Sequence, residues 1–369
     1  MRELTRQDIC DILDGCAILG TGGGGKAEEG LQMIDRALAG GRKFYLAEIG
    51  ELEADDLVIS PYYCGSVSPD YSEKEGKGSY KIDGDTAVAA VLAAEQYARR
   101  PVRGLVATEL GGANTAVAFY AAAMLDKIII DGDPAGRAVP KLQHSTYFLK
   151  NIPMVPVAVA NKQGDIAIFT QVKDDLSAEA LIRKFAMESG NIIAVADHCV
   201  NAAAAGEGLI RGTISHAGRL GRFYREALAR GENTAEKVAE AGRGKVIFIG
   251  VLSRQVWEEK NGFTCGDLYI NGENEFACRQ LHIWIQNENI MSWLDGRPYV
   301  TVPELISVFD ARTGEIISNP YYSEGMALNV VGFPAFSLWE SEAGLALFGP
   351  RSFGFDVDYE PKIKSRGCR

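Results

Sequence analysis

Two carboxylates, Glu109 and Asp131, each follow a short apolar run that is typical of a β-strand. The carboxyl ends of parallel strands meet at one edge of an α/β sheet, which is where such sheets bind ligands. A carboxylate at that edge can take a proton from water or give one to a leaving group. We therefore predict Glu109 and Asp131 as catalytic residues. The alternative for Glu109 is a solvated side chain beside an ordinary strand-to-helix turn.

Cys64 is a third catalytic candidate, because it stands beside Gly65 after a strand predicted to end at Ser60. A thiolate at a sheet edge can attack an electrophilic carbon. The sequence shows no base next to it. The alternative is a buried, inert thiol, which is the commonest state of a free cysteine.

Residues 20–26 contain four consecutive glycines followed by Lys26, a run that favours neither helix nor strand. Exposed N–H groups at a helix start bind anions, so we predict that this run contacts substrate. The run fits neither a Walker A loop nor the G-x-G-x-x-G dinucleotide fingerprint. Ala27 replaces the Ser or Thr of a Walker A loop, and the segment before the run is helical, whereas a fingerprint follows a strand. The alternative is a tightly packed connection between two helices. The predicted contacts are Gly22, Gly23, Gly24, Gly25 and Lys26.

Further polar residues cluster after the same predicted strands. Asp131 and Asp133 are spaced so that they could bind a cation, or so that one could raise the pKa of the other. Arg137 could instead neutralise both. The sequence leaves any metal or cofactor undetermined. The predicted substrate contacts in this region are Asn114, Asp133, Arg137 and His144.

The remaining histidines lack the spacing of known metal motifs. His198 and His216 flank a segment rich in alanine and glycine, and we interpret them as structural or substrate-contacting. His282 alternates with apolar residues and is interpreted as a strand histidine.

Composition limits the class of protein. The chain has 369 residues, 47% of them hydrophobic, and a net charge of -11. Nucleic-acid binding would need clustered Lys and Arg, which are not found, so a small molecule is the expected partner. No apolar run reaches the roughly 18 residues of a membrane helix, and seven scattered cysteines without a C-x-x-C spacing suit a reducing compartment. We predict a cytoplasmic protein.

The elements that position these residues alternate between helix and strand. A helix precedes the glycine run, beginning with Thr5 as its N-cap, and a second follows it and ends at Gly40. The alternation predicts a layered α/β domain with a largely parallel sheet. The strands are predicted at residues 43–47, 57–60, 105–108 and 127–130, and the helices between them at residues 86–99 and 113–125.

The second half has a different pattern. A hairpin is predicted at residues 161–171 and a helix at residues 177–189, and short strand candidates separated by Asn-Gly, Asp-Gly and Thr-Gly turns then run from residue 245 to about residue 353. We predict a β-rich α+β second domain. The domains are placed at residues 1–165 and 166–369, with the boundary between residues 156 and 176. A return of the last segment to the first domain is left open.

Residues 19–25, 109–114 and 131–140 together resemble the DUF917 proteins, which are described as similar to S-methyl thiohydantoin desulfurases. The resemblance covers nearly the whole chain and implies an N-terminal α/β domain that carries all three motifs. Members also occur beside hydantoinase and oxoprolinase proteins. This implies work on five-membered cyclic ureides or lactams and a partner of that type, but it assigns no catalytic residue.

We therefore expect a hydrolase-like enzyme that directs water at a ring carbon of a hydantoin, a thiohydantoin or an S-methyl thiohydantoin, with its site between the domains. The alternatives are a noncatalytic nucleotide- or anion-binding protein and an accessory subunit of a hydantoinase or oxoprolinase. Assembly into a homo-oligomer is left open.

Overall fold

The computed structural model describes residues 1–65, 84–260 and 262–363. Local signals start its first helix as predicted, because the Thr5 hydroxyl accepts from the Asp8 amide while the Asp8 carboxylate accepts from the Thr5 amide. The helices are α1 (Arg6–Leu19), α2 (Ala27–Ala39), α3 (Asp85–Ala98), α4 (Gly112–Met124), α5 (Thr146–Leu149), α6 (Asp175–Glu188), α7 (Ala202–Gly208), α8 (Thr213–Arg230), α9 (Thr234–Ala241) and α10 (Glu342–Phe348).

Strands alternate with these helices in the first half and dominate the second. In the first half they are β1 (Arg2–Leu4), β2 (Phe44–Ala47), β3 (Leu57–Gly65), β4 (Val102–Leu105), β5 (Ile128–Ile130), β6 (Gly132–Asp133), β7 (Val157–Ala160), β8 (Ile166–Phe169), β9 (Ile192–Asn201) and β10 (Ile210–Arg211). In the second half they are β11 (Lys245–Lys260), β12 (Phe263–Gly272), β13 (Gln280–Gln286), β14 (Glu288–Leu294), β15 (Arg297–Thr301), β16 (Leu305–Asp310) and β17 (Ala327–Phe333).

An eight-stranded sheet forms the first layer, in the order β1-β2-β5-β4-β3-β9-β7-β8. Its central strands β2, β5, β4 and β3 are parallel, and the flanking strands are antiparallel. Helix α4 lies buried beside this parallel centre, and the small side chains of its alanines allow the close packing. The predicted α/β domain with a largely parallel sheet is confirmed in its fold class.

A seven-stranded antiparallel sheet forms the second part, in the order β15-β14-β13-β12-β11-β17-β16. Hairpins connect its neighbours β11 to β15. The predicted turn at residues 295–296 joins β14 to β15, whereas residues 271–272 end strand β12. The inward residues of the sheet build a separate apolar core. The β-rich second domain is therefore confirmed as a fold class.

The two parts share elements across the predicted boundary. Strand β9, which follows residue 166, pairs with β3 of the first sheet along nearly its whole length. Helix α8 packs on α1 so closely that a Cβ added at Gly15 would lie 1.8 Å from the Ala217 oxygen. The division at residue 165 stays a prediction.

Candidate functional site

Glu109 lies in the loop between β4 and α4, where burial removes it from water. Its Oε1 accepts from the Asn114 side-chain amide at 2.8 Å, and its Oε2 accepts from the Val139 amide at 2.9 Å. Burial raises the pKa of this carboxyl to about 7, although both hydrogen bonds favour the charged form. Glu109 can therefore take up and release a proton near neutral pH.

The glycine run connects α1 to α2, as predicted, and packs against two other parts of the chain. Gly24 faces Gly111, and a Cβ added at Gly24 would lie 2.4 Å from the Gly111 Cα. The Gly24 carbonyl accepts from the amides of Ala113 and Asn114, so part of the first turn of α4 is already paired. These contacts favour the tightly packed connection. Because the run follows α1, neither nucleotide motif has the strand that it requires.

The other glycines of the run each meet a different neighbour. A Cβ at Gly22 would lie 2.4 Å from Asn319, one at Gly23 would lie 2.0 Å from the Glu288 carboxyl, and one at Gly25 would lie 2.6 Å from the Ala113 methyl group. The Lys26 ammonium lies over the Tyr321 ring, 3.5 Å from its centroid. Substrate contacts by Gly22, Gly23, Gly24, Gly25 and Lys26 remain a prediction.

Arg137 is fully buried and links the two halves. Its guanidinium donates to three backbone carbonyls and to the Thr21 hydroxyl. Burial lowers its pKa to about 10, and no carboxylate of the described residues forms an ion pair with it. The guanidinium thus already has protein acceptors, which favours an interdomain role over the predicted substrate contact. The carbonyl acceptors belong to Ala138, Asn289 and Glu304.

Asp131 and Asp133 have different partners although they are two residues apart. Both Asp131 oxygens accept from Ser215, one from its amide and one from its hydroxyl, in the first turn of α8. Asp133 is buried, and one of its oxygens accepts from the amides of Ala135 and Gly136. Burial raises the pKa of Asp133 to about 6. Asp131 therefore resembles a helix cap, and its catalytic role stays a prediction.

Cys64 lies inside β3 and not in a loop after it, so the expected strand end at Ser60 is wrong. The strand continues to Gly65 because β9 pairs with it beyond the end of β4. Burial raises the pKa of the Cys64 thiol to about 11, which keeps it protonated near neutral pH. This environment favours the inert thiol, and the nucleophile role is left as a prediction.

His144 is buried and packs against the rings of Phe348 and Phe353, whose centroids lie 4.9 and 5.3 Å from its own. Burial and the neighbouring cations lower its pKa to about 3, so the imidazole is neutral. Any substrate contact by His144 would use a neutral ring.

Sequence reasoning did not identify the Asp197–His198 pair as a unit. His198 Nδ1 lies 2.7 Å from Asp197 Oδ1, and the Tyr62 hydroxyl donates to the other Asp197 oxygen at 2.8 Å. His198 Nε2 is buried and has no hydrogen-bond partner among the described residues. The adjacency of Asp and His in the sequence was the available signal, but it did not reveal that Tyr62 completes the group.

Sequence reasoning also missed Glu288, the first residue of β14. Burial and the charge of Glu109 raise its pKa well above the usual value, while Arg137 acts in the opposite direction. A lone glutamate at a strand start gives no sequence signal. Two buried carboxyls with raised pKa values therefore act on each other where the two sheets meet, an arrangement suited to general acid–base chemistry.

The described residues contain neither a metal-binding cluster nor a membrane-spanning helix. Within residues 1–65, 84–260 and 262–363, no group of three or more His, Cys, Asp and Glu side chains is arranged to hold a metal ion. In the same ranges, every helix is too short or too polar to cross a bilayer.

Two family models match the chain. The S-Me-THD-like N-terminal domain matches residues 7–171, and the S-Me-THD-like C-terminal domain matches residues 173–362. A crystal structure of a protein from Chromobacterium violaceum is similar over 98% of this chain and 100% of that one, with 25% sequence identity and a TM-score of 0.79. No curated protein matches the chain. The similarity therefore covers both sheets and the junction between them.

Proposed function

This chain belongs to the S-Me-THD-like family, and from that premise we propose that it is a hydrolase of five-membered cyclic ureides. The family name denotes S-methyl thiohydantoin desulfurase, so the proposed substrate is a hydantoin-type ring that carries an S-methyl group. The reaction replaces that group by oxygen and releases methanethiol.

One observation supports this proposal most directly: Glu109 is a buried carboxyl with a pKa of about 7 at the edge of the parallel sheet. A base is most effective when its pKa lies near the working pH, and acid–base catalysis of this kind contributes roughly 10²–10⁴-fold in rate. The Asn114 and Val139 donors hold the carboxyl in one orientation without compensating fully for its burial.

In the proposed reaction, Glu109 acts first as a base and then as an acid. The Glu109 carboxylate takes a proton from water while the water oxygen bonds to the ring carbon that carries sulfur. A second acid gives the adjacent ring nitrogen a proton, and it regains one from the new hydroxyl group at the end. The carbon–sulfur bond then breaks, and protonated Glu109 returns its proton to the departing methanethiolate. Loss of the hydroxyl proton leaves the ring carbonyl.

The experiment is a methanethiol-release assay on the S-methyl thio analogue of hydantoin-5-propionate. We expect turnover that rises with pH through about 7, since the base must be ionised. Thermal-shift measurements with the same compound, hydantoin-5-propionate, ATP and NAD accompany it, because a ligand at about 100 times its Kd stabilises by about 2.7 kcal/mol. Stabilisation by ATP or NAD alone, with no methanethiol released, would overturn the proposal.

A further inference from the structure

Glu288 reaches across the junction of the two sheets. It is the first residue of β14, in the antiparallel sheet, yet its carboxyl lies against Gly23 in the connection between α1 and α2. A Cβ at Gly23 would be 2.0 Å from Glu288 Oε1, so only glycine leaves the carboxyl its present place. The glycine run thus admits a carboxyl from the other half of the chain.

Hydrogen bonds on both sides of Glu288 hold it in this position. The Asn289 amide donates to the Thr21 carbonyl at 2.9 Å, and Arg137 donates to the Asn289 carbonyl at 3.0 Å. On the other side, the Asn319 side-chain amide donates to the Asn287 carbonyl at 2.8 Å. The backbone flanking Glu288 is therefore fixed before any ligand arrives, which is the preorganisation that catalysis requires.

The surroundings of the Glu288 carboxyl favour its protonated form. Its Oε2 is buried and has no hydrogen-bond partner among the described residues. Arg137 acts on it only at a distance, because the guanidinium donates to backbone carbonyls and to the Thr21 hydroxyl. Glu109 adds a like charge when it is ionised. Burial without a direct counter-ion therefore raises the pKa of Glu288, and the group keeps its proton when Glu109 has lost its own.

We propose that Glu288 is the general acid that works opposite Glu109, an inference that rests on the hydrolase function proposed above. As water bonds to the ring carbon, the Glu288 carboxyl gives its proton to the ring nitrogen of the breaking C=N bond. When methanethiolate departs, Glu288 takes the proton of the new hydroxyl group, and the carbonyl forms. Both carboxyls thus return to their starting state.

Other buried acids near the junction are less suited to this role. One Asp133 oxygen already accepts from two backbone amides, and a Glu304 oxygen accepts from the amides of Lys362 and Ile363. Those hydrogen bonds hold loops and the C-terminal segment. Each of these three acids has one oxygen without a partner among the described residues. Glu288 differs because no backbone amide of another described residue donates to its carboxyl, whereas two such amides bind the other oxygen of Asp133 and of Glu304.

The kinetic test compares Glu288→Gln with a matched control, Glu304→Gln. The control also removes a buried acid, but one that binds the C-terminal segment. We expect Glu288→Gln to lower kcat about 100-fold or more and to abolish the fall of activity at high pH, since an acid must be protonated to act. Glu304→Gln should keep both sides of the pH profile. Wild-type-like turnover in Glu288→Gln, or a retained fall at high pH, would overturn the proposal.

A second measurement is independent of substrate identity. Infrared difference spectra of protein with ¹³C-labelled glutamate should be recorded at about pH 8.5, where Glu109 and Glu304, with pKa values of about 7, are ionised. The wild type should still show a protonated carboxyl there, and this band should be lost in Glu288→Gln but persist in Glu109→Gln. A spectrum without it would refute the acid role whatever the substrate. If the band is present but no methanethiol is released, the hydrolase function fails while the protonation of Glu288 stands.

Discussion

The loops after β4 and β5 begin alike and end in different environments. Each follows a parallel strand at the same sheet edge, and each carries an acid that the sequence nominates for catalysis, Glu109 in one and Asp131 in the other. Glu109 is buried with two N–H donors, whereas both Asp131 oxygens are bound by Ser215 of α8. The sheet edge brings acids together, but elements from later in the chain decide which acid is free to react.

The difference between the two environments predicts that Glu109 serves activity and that Asp131 serves stability. When hydrogen bonds do not fully offset the burial of a carboxyl, its pKa is raised toward the working pH, and the group can then exchange protons during a reaction. A partly exposed carboxyl that caps a helix contributes to folding instead. Glu109 and Asp131 should therefore respond in opposite ways to the removal of their charge.

The largest effect is expected from Glu109→Gln in the methanethiol assay. Loss of the base should lower kcat by about 10²–10⁴-fold, the usual contribution of a general base. Glu179→Gln is the matched control, because Glu179 is also 8% exposed but is paired with Arg183 at 2.7 Å. It should reduce stability more than turnover. Equal losses of turnover in both variants would remove Glu109 from catalysis.

The pH dependence of stability gives the next largest effect. The pKa of Glu109 is raised in the folded state to about 7, so its contribution to stability is fully present below the unfolded pKa and is lost as pH rises through about 7. The loss is on the order of 3 kcal/mol, because each tenfold change in proton affinity between the folded and unfolded chains corresponds to about 1.4 kcal/mol. Glu109→Gln should remove it.

Urea unfolding at pH 5 and at pH 8 measures this difference. The free energy of unfolding of Glu109→Gln, relative to the wild type, should rise between the two pH values. If the variant and the wild type differ by the same free energy of unfolding at both pH values, the protein environment fully offsets the burial of Glu109. Its contrast with Asp131 would then disappear.

Gly23→Ala tests how the two halves meet. The new methyl group would overlap the Glu288 carboxyl, and overpacking of this kind costs about 1–3 kcal/mol. We expect turnover to fall with stability, because the carboxyl must move. Gly50→Ala is the control, since no atom lies within 4 Å of a Cβ there and neither glycine has a positive φ. Equal behaviour of the two variants would contradict the close contact.

Much of the fold could be predicted from local pattern. The Thr5 cap, the helices on both sides of the glycine run and the strands β2 and β5 follow from periodicity and capping, and the structure confirms them. The strand predicted at residues 105–108 is wrong in its bounds, because β4 runs from Val102 to Leu105. The extension of β3 to Gly65 could not be predicted, because it depends on pairing with β9. A strand's length is set by its partners as much as by its own residues.

The site could be predicted only in part, for the same physical reason. Glu109 and Asn114 share one loop and helix start, so local sequence placed them together, and the structure joins them by a hydrogen bond. The contact of Glu288 with Gly23 joins residues far apart in the chain, and a single sequence carries no record of such contacts. The capping of α8 by Asp131 was hidden in the same way.

The smallest effect should come from Asp131→Ala. Loss of a side-chain cap costs about 1 kcal/mol, and the hydrogen bonds to Ser215 indicate that this is the main role of Asp131. Turnover should stay close to the wild-type value. A double-mutant cycle with Ser215→Ala should show that the two losses of stability are not fully additive, because both variants remove the hydroxyl hydrogen bond while only Asp131→Ala also removes the bond from the Ser215 amide. A large loss of turnover with unchanged stability would restore Asp131 to catalysis and place two reactive acids at the sheet edge.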